Sequence, residues 1–171
     1  LKLFNFSIFR PEDRQITLLY NYYMNDENFH LLEFSGNIDY EFNNFDLLSF
    51  QFDASRLWPS PPFYHEIPVS DDTFKGFMGK SYFTREIIRI SSEYRISIYR
   101  DFIYAGVFCD FTSFEGSGYD LEGTQYGTVG GLGGHFVFLD QFEFNIYFGK
   151  DYLFSSEESQ YNLQFSAHKK W

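Results

Sequence analysis

The strict two-residue alternation of apolar and polar side chains constrains this chain more than any other feature. Residues 141–148 read Gln-Phe-Glu-Phe-Asn-Ile-Tyr-Phe, apolar at every even position and mostly polar at the odd ones. A period of two matches the pleat of a β-strand, in which successive side chains leave on opposite faces. The same pattern runs through Leu48, Phe50 and Phe52 against Ser49, Gln51 and Asp53. It recurs in Ile88, Ile90, Tyr94, Ile96 and Ile98 against Arg89, Ser91, Glu93, Arg95 and Ser97. Strands are expected near 2–9, 14–24, 29–40, 45–56, 85–98, 101–113, 127–139, 141–149 and 161–171. Tight turns are expected near residues 10–13, 43–44, 99–100 and 139–140, and long loops near 57–84, 114–126 and 150–160.

Most of these segments are long enough to cross a bilayer at a tilt. Short turns on one side and long loops on the other suit an outer-membrane barrel. A water-soluble barrel or sandwich, apolar face inward, shares the alternation. The width of the Phe, Ile, Leu and Tyr face favours the membrane. Residues 1–171 are therefore read as one all-β domain, an antiparallel transmembrane β-barrel or a half-barrel of eight or nine strands, with 57–84 as a loop folded into the lumen.

Composition narrows the function. Of 171 residues 23% are aromatic, a share that strands favour. Mean hydropathy is only -0.33, and no apolar run is long enough for a membrane-spanning helix. A net charge of -11 would repel phosphates, so no nucleic-acid partner is expected. The single cysteine, Cys109, precludes an internal disulfide and has outward parity. Four histidines (His30, His65, His135, His168) show no metal-ligand spacing. Gly116-Ser117-Gly118 lacks the Gly-x-Ser-x-Gly form of a nucleophile elbow. No catalytic residue, cofactor or metal is expected.

Several short motifs follow one another in the second half. Phe74-Lys75-Gly76-Phe77 sits in the 57–84 loop. Ser92-Glu93-Tyr94-Arg95 lies in the next strand and Gly106-Val107-Phe108-Cys109-Asp110 in the one after. Five glycines fall within 127–134, followed by His135-Phe136-Val137-Phe138. The last segment carries Leu163 and Phe165 and ends at Trp171. In order and spacing, this set over about residues 70–171 resembles the BamA/TamA superfamily of outer-membrane assembly and translocation barrels. The family's loop motif has an aliphatic residue and Arg where this chain has Phe74 and Lys75. Lys lacks the flat two-pronged donor of Arg.

The resemblance implies a bacterial outer-membrane protein whose loop tip docks inside the lumen, with Lys75 against Glu93 and Asp110. It also implies a last strand, carrying Leu163, Phe165 and Trp171, by which the barrel is recognised. Parity agrees independently: Glu93, Phe108 and Asp110 share the lumen side. Gly131 and Gly133 point inward as well, leaving room for a packed loop. On its own, without the resemblance, Lys75 reads as an exposed loop lysine.

Partners expected are the bilayer, lipopolysaccharide and a strand that closes the sheet. A half-barrel needs either a second copy or a longer chain, because open edges do not persist in lipid. The function implied is assembly or translocation of outer-membrane proteins. The alternatives are a barrel that anchors another domain, such as a patatin-like lipase, and a passive structural barrel or pore.

Overall fold

A computed structural model of the chain describes residues 2–10, 14–23, 29–42, 45–59, 66–70, 74–77, 82–100, 102–116, 123–138 and 142–169. These form eleven β-strands and no helix: β1 (Lys2–Arg10), β2 (Arg14–Tyr23), β3 (Phe29–Glu41), β4 (Leu47–Trp58), β5 (Ile67–Pro68), β6 (Phe83–Thr84), β7 (Glu86–Tyr99), β8 (Ile103–Glu115), β9 (Thr124–Phe138), β10 (Phe142–Leu153) and β11 (Glu158–Lys169). Nine of them make one antiparallel meander in the order β1-β2-β3-β4-β7-β8-β9-β10-β11. The remaining two, β5 and β6, form a two-residue ladder inside the 57–84 segment. Among the described residues no pairing joins β1 to β11, so the sheet has two edges and the structure shows no closed barrel.

Two hairpins differ from the sequence expectation. Residues 150–160 are not a long loop, because β10 runs to Leu153 and β11 begins at Glu158. The polar residues Lys150 and Asp151 sit within β10, where alternation continues with Asp151 and Leu153 inward. Segment 114–126 is also shorter than expected, since β8 reaches Glu115 and β9 starts at Thr124. The Gly116 N–H donates to the Gly123 carbonyl at 2.8 Å across its base. At the opposite end, Arg100 takes a left-handed φ of 49° and the Phe102 N–H returns to the Tyr99 carbonyl at 3.1 Å.

The sheet is strongly rolled. Strands β7 and β10 are three steps apart, roughly 14 Å if flat, yet Arg95 Nη1 lies 2.9 Å from Glu143 Oε1. Asn37 on β3 and Gln164 and Ser166 on β11 border one cavity of about 430 Å³. On a flat sheet those strands would stand roughly 29 Å apart. Rolling gives the two side-chain sets different surroundings. The convex face carries large exposed side chains, among them Phe34, Phe50, Ile90, Leu132, Phe144 and Phe148. The concave face carries the polar set and, toward the β10–β11 turn, a dry core of Ile87, Phe108, Phe114, Val129, Tyr147 and Leu153.

Candidate functional site: a loop tip seated on the concave face

The tip Phe74–Phe77 lies against β7, β8, β9 and β10. Phe74 and Phe77 are buried in the dry core, with ring centroids 5.7 Å apart. Seating them requires absent side chains beneath. A Cβ on Gly127 would lie 2.5 Å from the Phe77 ring. The Phe77 backbone is left-handed, with φ 58°, a conformation uncommon for a bulky residue. Its N–H donates to Asp151 Oδ2 at 2.8 Å. Asp151 is in turn fixed by the Gln160 N–H at 3.1 Å and Asn162 Nδ2 at 3.2 Å.

Lys75 is 5% exposed and Asp110 fully buried, with Nζ 3.6 Å from Oδ2. The Lys75 backbone N–H also donates to Oδ2, at 3.1 Å. Ser91, the cross-strand partner of Asp110, donates to Oδ1 at 2.6 Å and lies 3.4 Å from Nζ. The ammonium stands over two rings, 5.1 Å from the Phe108 centroid and 4.8 Å from that of Tyr147. Burial of this cation is therefore offset by an anion, a hydroxyl and two π-faces.

Of the two acids expected around Lys75, the structure brings Asp110 to it and gives Glu93 other partners. Arg95 Nη2 lies 3.1 Å from Glu93 Oε2 and His135 Nε2 lies 2.7 Å from Oε1. The Tyr147 hydroxyl donates to Oε2 at 3.3 Å. Register explains the separation. Glu93 faces Phe108 across the β7–β8 ladder, and the Phe108 ring lies beneath Lys75. Arg95 continues to Glu143 at 2.9 Å, and His135 Nδ1 reaches Asn145 at 2.8 Å.

The glycines have distinct places here. A Cβ on Gly133 would meet Glu93 Oε1, His135 Nε2 and Tyr147 Cε1, each at 3.0 Å. Gly106 faces the same pair, with Glu93 Oε1 3.2 Å from its would-be Cβ. Gly131 lies under Phe108, whose Cε1 is 2.9 Å from such an atom. On β11, Leu163 and Phe165 are 55% and 67% exposed, alternating with buried Asn162 and Gln164. Trp171 lies outside the described residues.

Sequence reasoning missed Asp151, Ser91 and Tyr147 as parts of the seat. Parity could have found two of them, since Ser91 shares the polar face of Glu93, and Tyr147 the odd-numbered face of Glu143 and Asn145. Among the described residues no group of three or more His, Cys, Asp and Glu side chains is arranged to hold a metal. Compared with known proteins, the chain matches no family model, no curated protein and no solved structure.

Proposed function

We propose that this chain forms the wall of a bacterial outer-membrane β-barrel of the assembly and translocation type, with Phe74–Phe77 as a fixed tip inside the lumen. The observation that carries this reading is the seat itself. The tip is bound through Lys75–Asp110 and Phe77–Asp151 to the inner face of the strands that follow it, as the family resemblance implies.

The convex face supports the membrane part. Along β3, β4 and β7–β11, the outward charged side chains among those described are Arg56, Glu86, Glu115 and Lys150, all near the loop-side strand ends. From Ile88 to Ile98 of β7, ten residue steps span roughly 34 Å. At a barrel tilt of about 40° this gives roughly 26 Å of height, close to the apolar band of such proteins. The outward Ser92 hydroxyl donates to the Cys109 carbonyl at 3.0 Å, which suits a face without water. In lipid, the edges β1 and β11 pair with each other, with a second copy or with further strands of a longer chain.

A second reading is a static barrel anchoring another domain. The packing of Phe74 and Phe77 into the dry core favours it, because an immobile plug suits an anchor.

Spin labels at 50, 144 and 148 in proteoliposomes are expected to favour oxygen over a nickel chelate, and labels at 51, 143 and 145 the reverse. Chelate preference at the first set would refute the membrane face. Acceleration of the folding of an unfolded outer-membrane barrel into the same liposomes supports the assembly reading; no acceleration beyond that of a lipid-matched control supports the anchor.

A further inference from the structure

We propose that the lumen is a passage for small cations, closed while Phe74–Phe77 is seated and open once the tip lifts off Asp110 and Asp151. The proposal rests on the membrane reading and adds an activity to it.

The seated lumen has two halves. The polar cavity of about 430 Å³ occupies the short-turn half, bordered by Asp39, Leu47 and Ser166 near the strand ends on that side. On the loop side of it Val69, Phe74, Phe77, Phe114 and Leu153 pack into the buried apolar cluster. Such a plug excludes hydrated ions, because a charge carried into apolar surroundings loses its water without replacement. Beneath the tip, however, the wall is polar. Ser91, Asp110 and Asp151 are all buried, and each bonds to the tip. Lifting the tip exposes these groups to the cavity and continues its polar lining toward the loops.

Charge sets what would pass. Register places the acids in two neighbouring inward rows. Asp39, Ser49 and Glu93 are successive cross-strand partners on β3, β4 and β7. One inward step nearer the loops, Ser91, Asp110, Val129 and Asp151 are successive partners on β7 to β10. Arg89 is matched by Asp53 at 2.8 Å, and Arg95 by Glu143 at 2.9 Å. Among the described residues of the two rows, Asp39, Glu93, Asp110 and Asp151 remain, and the lining stays acidic even with His135 counted as a cation. Acidic side chains ringing a pore select cations. In the seated state Lys75 holds the place of such a cation. Its ammonium lies 3.6 Å from the Asp110 carboxylate and 3.4 Å from the Ser91 hydroxyl, over the faces of Phe108 and Tyr147. Both charges of the Lys75–Asp110 pair regain water when the tip lifts, so this contact resists opening less than an apolar one of similar volume would.

The test is single-channel recording in planar bilayers under a potassium chloride gradient. The unaltered protein is expected to stay closed for most of the time, its brief openings preferring potassium over chloride. Lys75→Met is expected to raise the open fraction on the order of a hundredfold, the factor for one broken buried ion pair, with the same preference. Asp39→Asn in that background is expected to lower the potassium-to-chloride permeability ratio. Chloride preference overturns the proposal, as does an unaltered protein that is open as often as Lys75→Met. Oxygen and chelate accessibility at 50, 144 and 148 in liposomes separates the two ways of failing. Lipid-facing labels with silent bilayers, for the unaltered protein and Lys75→Met alike, overturn the passage alone. Chelate preference at those sites overturns the membrane reading and the passage with it.

Discussion

Replacing Lys75 by Met removes the ammonium while keeping most of the stem. Asp110, fully buried, would keep two donors, the residue-75 backbone N–H at 3.1 Å and the Ser91 hydroxyl at 2.6 Å. Breaking a buried pair costs about 3–5 kcal/mol. The two surviving donors place this case near the lower end, about 3 kcal/mol, or roughly 150-fold in the opening equilibrium of the tip. Hydrogen exchange at residues 74–77 reads that opening directly, with β10–β11 amides as an internal reference. Asp110→Asn in the Lys75→Met background should restore much of the protection, because no uncompensated charge then remains. Arg56→Met is the control: the Arg56–Glu86 pair has side chains 65% and 49% exposed, and such pairs contribute about 1 kcal/mol at most. A loss of protection in Lys75→Met below about fivefold, near 1 kcal/mol, would refute the reasoning. So would a double variant as open as the sum of the single ones.

Other substitutions probe the rest of the seat. Gly127→Ala would drive a methyl to 2.5 Å from the Phe77 ring, so proteolysis within 57–84 should quicken while strand circular dichroism is retained. Asp151→Ala should cost about 1–3 kcal/mol in chemical unfolding, because the buried Phe77 N–H loses its acceptor. Gly133→Ala, with three atoms at 3.0 Å from the new methyl, should cost about 1–3 kcal/mol by the same measurement and shift the His135 ring resonances. Unchanged resonances there would remove the close approach from the account.

Alternation made the meander legible because each strand keeps one face apolar for most of its length. It failed at Lys150–Leu153, where a lysine and an aspartate in succession resemble a loop. In the structure Lys150 points outward, 5.6 Å from the Tyr161 ring centroid, and Asp151 points in to hold the tip. The inner dry core was hidden for a related reason. Ile87 and Ile88 are both apolar, yet one is 1% exposed and the other 47%. Parity assigns a face but does not show that the inner face divides into a polar zone and an apolar zone. The Lys75–Asp110 contact was anticipated by motif and parity together. The partners of Glu93 were not, because they depend on how tightly rolling brings β7 toward β10.

The order in which the seat is built has a consequence for biogenesis. The tip precedes in the chain every strand it rests on, and Tyr147 and Asp151, which complete its surroundings, sit on β10. During synthesis the tip therefore lacks a complete seat until β10 has paired. A chain interrupted before Phe142 would leave the Phe77 N–H without its acceptor and Lys75 without one of its rings. Seating of the tip thus requires the C-terminal half to be paired in the register that turns Tyr147 and Asp151 toward it.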